Sequence, residues 1–218
     1  MSISEKLINI KATLPKNVSL VAVTKTKTIN EIMEAYNSGH RLLGENKIQE
    51  MVAKWSALPK DIKWHMIGHI QRNKVKYMAP FVSLIHAVDS LKLIIEINKQ
   101  ALKNQRVIDC LLQIKIATEE SKFGLSEDDA LILLASEDIK ELQNIRIIGL
   151  MGMATFTNNS NQISKEFQNL KIFYDTLKET HHFTTLSIGM SDDYPIALVN
   201  GSTMVRVGSA IFGNRNYS

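Results

Sequence analysis

The chain has 218 residues, of which 44% are hydrophobic and 22% charged, and its formal net charge is +4. That apolar fraction is enough to build a core, which excludes an intrinsically disordered protein. The ten glycines and four prolines are too few for a collagen-like or low-complexity chain. The small positive charge is compatible with an anionic ligand such as a phosphate, and it is only a weak argument for nucleic acid.

The compartment is indicated by what the sequence lacks. The single cysteine, Cys110, has no partner for an internal disulfide. Residues 1–16 contain Glu5, Lys6 and Lys11 and lack the apolar stretch of a secretory signal. No stretch approaches the roughly 18 apolar residues of a membrane span. We therefore expect a cytoplasmic protein that does not enter the membrane.

Strand-like and helix-like patterns alternate along the chain, without an internal repeat or a linker. Thr28 and Glu31 form a capping box for the second helix, which ends near Gly39, and Pro80 ends the fourth. The predicted strands are 18–23, 41–43, 63–67, 82–87, 107–116, 145–149, 185–188 and 203–207. The predicted helices are 4–13, 28–39, 47–57, 71–78, 90–104, 126–135, 163–178 and 194–199, and a last helical turn follows the eighth strand.

Eight strands, each followed by a helical stretch, predict parallel βαβ units. Several of these strands are continuous apolar runs, as expected of strands buried on both faces. At this length the pattern favours an α/β fold in which residues 1–218 form a single (β/α)8 TIM barrel. The alternative is an open doubly wound sheet, although no GxGxxG motif follows the first strand to support it. In a barrel, functional residues follow the C-terminal ends of the strands.

Lys25 comes directly after the first predicted strand. A lysine at the mouth of a barrel is poorly hydrated, which lowers its pKa and makes the neutral amine a nucleophile for carbonyl carbons. The alternative is a solvated lysine in a basic turn, which is the commoner fate of a lysine and is favoured when spacing alone is considered. Lys122, after the fifth strand, offers the same two interpretations, and there a surface charge is favoured.

The histidines do not predict a metal site. His65 lies in the third strand and His69 follows it, but no cysteine or carboxylate nearby completes a ligand set. For His65 the favoured interpretation is a hydrogen-bonded core histidine. His181 and His182 are expected to form a solvated loop pair.

The last two strands end in small residues, at 187–192 and 206–213. Their backbone N–H groups can approach an anion closely, and Ser191 and Ser209 add hydroxyl donors. Barrel enzymes often bind phosphate in the loops after strands seven and eight, although two ordinary glycine-containing turns are the alternative. Arg206 ends strand eight beside these loops and needs an acceptor, which is either a carboxylate or a ligand atom.

A nucleophilic lysine facing a phosphate cradle suits a phosphorylated aldehyde, and pyridoxal phosphate is the common biological molecule of that description. Five sequence blocks, in the same order, resemble the pyridoxal-phosphate homeostasis proteins. These blocks are residues 22–27, 44–50, 64–68, 187–193 and 205–213.

The resemblance implies a barrel related to the N-terminal domain of alanine racemases, with Lys25 as the Schiff-base lysine. It implies that Arg206 faces the pyridine nitrogen and that Asn46 and His65 line the pocket. The residues implied to hold the phosphate are Ser187, Met190, Ser191, Gly208 and Ser209. It further implies a monomer that stores pyridoxal 5′-phosphate and delivers it to apoenzymes, without established turnover. His69 stands where some members have proline, a departure that would alter access to the pocket.

Two rival functions follow from the same residues. In a pyridoxal-phosphate-dependent amino-acid racemase, a charged Arg206 would keep the ring nitrogen unprotonated and make the ring a poorer electron sink. Two-base racemisation also needs an acid/base group on the other face of the substrate, which related racemases take from an extra β domain that we do not expect here. Nucleic-acid binding is suggested by the basic segment 71–76, but this segment lacks the interleaved aromatic residues of a stacking platform.

Overall fold

The computed structural model describes residues 1–119 and 123–213. Within these residues, eight parallel strands close into a barrel in chain order, and β8 pairs with β1. The strands are β1 Ser19–Val23, β2 Leu42–Glu45, β3 Lys63–Met66, β4 Val82–Val88, β5 Ile108–Ile114, β6 Ile145–Gly152, β7 Thr185–Ser187 and β8 Met204–Val207. The helices are α1 Ile3–Thr13, α2 Ile29–Asn37, α3 Ile48–Ala57, α4 Val75–Met78, α5 Leu91–Lys103, α6 Glu127–Ala135, α7 Glu137–Lys140, α8 Ser160–His181, α9 Tyr194–Val199 and α10 Ser209–Phe212. The predicted (β/α)8 barrel is confirmed, and the open sheet is not observed.

Local signals in the sequence set the ends of α2. The Thr28 hydroxyl accepts the Glu31 N–H, and the Glu31 carboxylate accepts the Thr28 N–H, which completes the predicted capping box. Gly39 follows the helix with φ at +86°, a left-handed conformation that glycine adopts without a steric penalty. The chain therefore leaves α2 at the predicted place and turns back into β2.

Three elements differ from the predicted ones. The fourth helix is split, because Arg72–Lys74 form a 3₁₀ turn ahead of α4. The short helix α7 was not predicted. Helix α8 continues to His181, so that His181 and His182 end a helix and do not form a loop pair. None of the helices described has the combination of length and apolarity that a bilayer span requires.

Strand alternation divides the side chains between the helix layer and the barrel interior. In β1, Leu20 and Ala22 belong to the large cluster that packs under the helices, whereas Val21 belongs to a separate inner cluster. The other buried members of this inner cluster are Leu84, Ala87, Leu111, Met151 and Met204. Two residues further along their strands, Leu84 is followed by His86 and Met204 by Arg206, both buried. The barrel interior is therefore apolar below and polar towards the C-terminal ends of the strands.

Candidate functional site

A cavity of about 270 Å³ opens at the C-terminal ends of the strands. Seven of the nine residues predicted for the site lie in its wall. They are Lys25, Asn46, Met190, Ser191, Arg206, Gly208 and Ser209. The structure thus brings the lysine after β1 and the loops after β7 and β8 together. His65 and Ser187 are not part of this wall.

Lys25 occupies a tight turn at the end of β1. The Thr24 carbonyl accepts the Lys27 N–H at 3.0 Å, so residues 24–27 form a β-turn. Thr26, the third residue of this turn, has φ at +64°. Lys25 is half-buried and lines the cavity, which places its side chain at the mouth of the barrel.

Two further lysines, Lys27 and Lys122, are distinguished from Lys25 by their position. Lys27 also reaches the cavity, where its Nζ donates to the Phe212 carbonyl at 3.1 Å and lies 3.5 Å from a Glu31 carboxylate oxygen. Lys27 therefore ties α2 to α10, the short helix after β8. Lys122 lies outside the described residues.

The backbone N–H groups around the start of α10 converge on one oxygen. The Gly208 and Ala210 N–H groups donate to the Ser191 Oγ at 3.1 and 3.4 Å. An anion oxygen at this place would meet the same kind of donors. Gly208 also lets the loop after β8 pack closely on the end of β1, because a Cβ there would lie 3.3 Å from the Val23 Cβ.

Arg206 forms the floor of the cavity and is only 3% exposed. Its Nη1 donates to the Ser187 carbonyl at 2.7 Å and to the Ser187 hydroxyl at 2.6 Å, and its Nη2 donates to the Gly152 carbonyl at 3.0 Å. Among the described residues its hydrogen-bond partners are all neutral, so no carboxylate neutralises it directly. Burial lowers the pKa of Arg206 to about 10, which leaves the guanidinium charged at neutral pH. A buried cation therefore faces the cavity.

Ser187 and His65 lie beneath this floor and are connected through His86. The His86 Nδ1 is 3.1 Å from the Ser187 Oγ, and the His86 Nε2 is 3.0 Å from the His65 Nδ1. Burial lowers the pKa of His65 to about 3 and that of His86 well below its ordinary value, so both rings are neutral at neutral pH. His65 is thus a hydrogen-bonded core histidine, as favoured from the sequence. His86 was missed, although a lone histidine between apolar residues of a buried strand is a visible signal.

His69 lies away from the cavity wall. Its ring stacks on Phe123 with a centroid distance of 4.0 Å, and its Nδ1 lies 3.5 Å from an Asp89 carboxylate oxygen. His69 therefore links the segment after β3 to those after β4 and β5.

An observation on Asn46 independently supports the fit of these cavity residues to pyridoxal phosphate. Asn46 lines the cavity, and its Oδ1 is buried without a hydrogen-bond partner in the described part of the chain. A buried acceptor without a partner is costly, and a ligand donor would satisfy it. An amine, an anion cradle, a cationic floor and this acceptor together match a phosphorylated aldehyde with a ring nitrogen and a ring hydroxyl. Outside the two undescribed segments, no cluster of histidine, cysteine and carboxylate side chains could hold a metal ion.

A second cavity, of about 590 Å³, adjoins the first between the loops after β6 and β7. Both cavities are lined by Met153, Phe156, Met190 and Asp192. The second cavity is therefore directly adjacent to the cavity that Lys25 lines.

Comparisons with known proteins show which proteins this chain resembles in sequence and fold. The family model described as "Alanine racemase, N-terminal domain" matches residues 2–216. A pyridoxal phosphate homeostasis protein of Aquifex aeolicus is 37% identical over 201 residues, covering 91% of this chain and 87% of that protein. PipY of Synechococcus elongatus, solved without PLP, has a TM-score of 0.92 and 33% identity, over 97% of this chain and all of PipY (100%). PipY solved with PLP bound covers the same shares (97% and 100%), with a TM-score of 0.88 and 32% identity.

Proposed function

The chain belongs to the family of pyridoxal phosphate homeostasis proteins, built on the alanine racemase N-terminal domain, and we propose that it holds pyridoxal 5′-phosphate as a Schiff base on Lys25. In this role it stores the cofactor and delivers it to enzymes that require it. One observation carries the proposal: Lys25 and the donors around Ser191 and Gly208 line the same cavity.

The covalent step needs only the lysine and the aldehyde that the cofactor supplies. The Nζ of Lys25 would add to the aldehyde carbon, and its two protons would leave with the carbonyl oxygen as water, which gives a C=N bond without any oxidation or reduction. An incoming primary amine would displace Nζ from the same carbon by the same addition and elimination, which restores the primary amine of Lys25. The second cavity is the space through which such an amine approaches.

The remaining cavity residues bind the cofactor without covalent chemistry. The loops that contain Met190, Ser191, Gly208 and Ser209 hold the phosphate, with Ser191 and the backbone N–H groups as donors. Arg206 faces the pyridine nitrogen, and Asn46 accepts a hydrogen bond from the ring hydroxyl. Because Ser187 and His65 lie beneath Arg206 and outside the cavity wall, we assign them indirect roles, in place of the direct contacts that the family resemblance implied.

We propose binding and delivery in preference to racemisation. A charged Arg206 at the ring nitrogen disfavours protonation of that nitrogen, so the ring withdraws electrons less strongly from a bound amino acid. The relatives named as homeostasis proteins support the same choice. Conversion of L-alanine to its enantiomer at about 1 per second or faster would establish the racemase instead.

We further propose that the protein acts as a single-domain monomer in the cytoplasm and that apoenzymes are its partners. Light scattering of the purified protein, with and without pyridoxal phosphate, tests the first point. A mass of twice the chain's own would contradict it.

A matched pair of variants tests the Schiff base. Lys25→Arg and Lys27→Arg each replace a primary amine in the cavity wall by a cation that cannot form a C=N bond with the cofactor. The wild type and Lys27→Arg should develop the Schiff-base absorbance with pyridoxal phosphate, and Lys25→Arg should not. After borohydride reduction, mass spectrometry should locate the cofactor on Lys25. Full absorbance in Lys25→Arg, or a label on another lysine, would overturn the assignment.

A further inference from the structure

An ion network lies directly behind the Lys25 turn, and it is buried at Glu45 and Lys54 and partly exposed at Glu50. Lys54, on α3, is 6% exposed, and its Nζ donates to three oxygens. These are the Thr24 carbonyl at 2.6 Å, the Glu45 Oε1 at 2.7 Å and the Glu50 Oε1 at 2.7 Å. All three donors of the ammonium group are therefore used.

The network holds the residues on both sides of Lys25. On one side, Thr24 accepts from Lys54 through its carbonyl, and its hydroxyl donates to the Glu45 Oε1 at 2.6 Å. On the other side, the Thr26 N–H donates to the Glu50 Oε1 at 2.6 Å, the same oxygen that accepts from Lys54. The backbone that carries Lys25 is thus fixed at both ends by one connected set of charges.

The turn needs such support because of Thr26. A β-branched residue is strained in the left-handed region, and Thr26 has φ at +64°. The carboxylate of Glu50 holds its N–H in the orientation that this conformation requires. Without that acceptor, the backbone is free to relax to an extended conformation and to carry Lys25 with it.

Burying these charged groups costs free energy, which is unexpected if their only role is to stabilise the fold. Glu45 is fully buried, and burial raises its pKa even though Lys54 opposes the shift. Its Oε2 is buried without a hydrogen-bond partner among the described residues. Buried ion pairs often stabilise a fold no better than well-packed apolar side chains. A role in positioning the Lys25 turn would explain why a cation and two carboxylates lie behind it.

We propose that Glu50, held by Lys54, is a positioning residue that presents the Lys25 amine to the cavity. The proposal rests on the proposed function of Lys25. Glu45, Glu50 and Lys54 do not line the cavity, so they act through the backbone of residues 24–26 and not by contact with the cofactor.

The test relies on Glu50, because loss of Lys54 would leave Glu45 buried without a counter-ion and could unfold the chain. Glu50→Ala removes the acceptor of the Thr26 N–H, whereas Glu50→Gln keeps an oxygen in its place. Glu50→Ala should weaken pyridoxal phosphate binding by about tenfold, and Glu50→Gln by less. Adding Thr26→Gly to Glu50→Ala should recover most of the loss, since glycine adopts a positive φ without strain.

A second measurement needs no cofactor. In the apo protein, acetic anhydride labels lysines at rates that mass spectrometry compares directly. Glu50→Ala should change the labelling ratio of Lys25 to Lys27 by about threefold or more, in line with a lost charged hydrogen bond. Glu137→Ala, whose side chain is 83% exposed, is the surface control and should leave the ratio unchanged.

The outcomes separate the two proposals. A wild-type labelling ratio and wild-type affinity in Glu50→Ala would overturn the positioning role and leave the proposed function standing. Equal loss in Glu50→Ala and in the double variant with Thr26→Gly would also overturn it, because the strain at Thr26 would then be irrelevant. If the wild type forms no Schiff base on Lys25, the proposed function fails, and the apo labelling ratio still decides whether Glu50 positions Lys25.

Discussion

Arg206 and Ser187 are joined twice, because one guanidinium nitrogen donates to both the carbonyl and the hydroxyl of the serine, at 2.7 and 2.6 Å. This double contact connects β8 to β7 beneath the cavity. Ser191, four residues after Ser187, lines the cavity and accepts instead from the backbone N–H groups of Gly208 and Ala210. Two serines close in sequence thus occupy different layers of the site.

The first prediction concerns Ser191. Ser191→Ala removes the hydroxyl at the point where the N–H groups of Gly208 and Ala210 converge. We expect its affinity for pyridoxal phosphate to fall by about tenfold, whereas its affinity for pyridoxal, which has no phosphate, should stay at the wild-type level. Equilibrium titration with both compounds measures the difference. Equal losses for both compounds would place the phosphate elsewhere.

Ser187→Ala should behave differently. Arg206 loses one acceptor but keeps the Ser187 carbonyl and the Gly152 carbonyl. Because a buried hydrogen bond to a charged group disappears, the free energy of unfolding should fall by about 1.5–3 kcal/mol. Urea unfolding measures this loss, and the affinities for pyridoxal phosphate and pyridoxal should change by the same factor. A loss confined to the phosphorylated compound would mean that Ser187 contacts the phosphate after all.

Gly68 lies where two loops are in close contact, and Gly39, which has no such contact, provides the matched control. A Cβ at Gly68 would lie 2.4 Å from the Asn46 carbonyl oxygen, whereas nothing lies within 4 Å of a Cβ at Gly39. Gly68→Ala should destabilise the fold by about 1–3 kcal/mol and also weaken cofactor binding, because it displaces Asn46. Gly39→Ala should cost about 1 kcal/mol through its positive φ alone and leave binding intact. Wild-type binding by a folded Gly68→Ala would contradict the role of Asn46.

The buried histidines predict a stability that depends on pH. Burial lowers the pKa of His65 to about 3 and that of His40 to about 4, from the ordinary value of 6.5. The unfolded chain therefore binds more protons than the folded chain between these values, so stability is full above pH 6.5 and falls as the pH drops towards 3–4. Each such histidine contributes a slope of about 1.4 kcal/mol per pH unit within its window.

His86→Gln tests this dependence of stability on pH at another residue, because burial also lowers the pKa of His86 well below its ordinary value. Glutamine does not titrate, so the stability lost between about pH 7.5 and about pH 5 should be smaller than in the wild type. Urea unfolding at the two pH values gives the comparison, and circular dichroism checks that the variant is folded at the higher pH. An identical loss in both proteins would show that folding does not lower the pKa of His86.

The order of elements could be predicted because its signals are local. Apolar runs of strand length alternate with capped helical stretches, and Thr28 with Glu31 sets a helix start wherever the rest of the chain lies. Lys25, Ser191 and Gly208 could be proposed as one site for a related reason. In a parallel barrel all strand ends meet at one face, so residues far apart in sequence become neighbours by topology alone.

Contacts between different strands and helices could not be predicted in this way. Whether Ser187 reaches the cavity depends on its depth in β7 relative to Arg206 in β8, and strand register is a property of the closed sheet. The link from His65 through His86 to Ser187 joins two neighbouring strands, β3 and β4, to β7, which lies about 100 residues further along the chain. Likewise, Lys54 appears as one more lysine on an amphipathic helix until α3 packs behind the Lys25 turn.

The sequence by itself determined the barrel, the family and the strand ends that carry the chemistry, because hydrophobic period, caps and small-residue turns act over a few neighbouring residues. Only the tertiary structure decided that Arg206 is a floor supported by Ser187 and His86, and that Glu50 and Lys54 hold the turn of Lys25. Buried hydrogen bonds and ion pairs depend on distances of a few ångströms between side chains from separate elements, and those distances exist only once the sheet has closed.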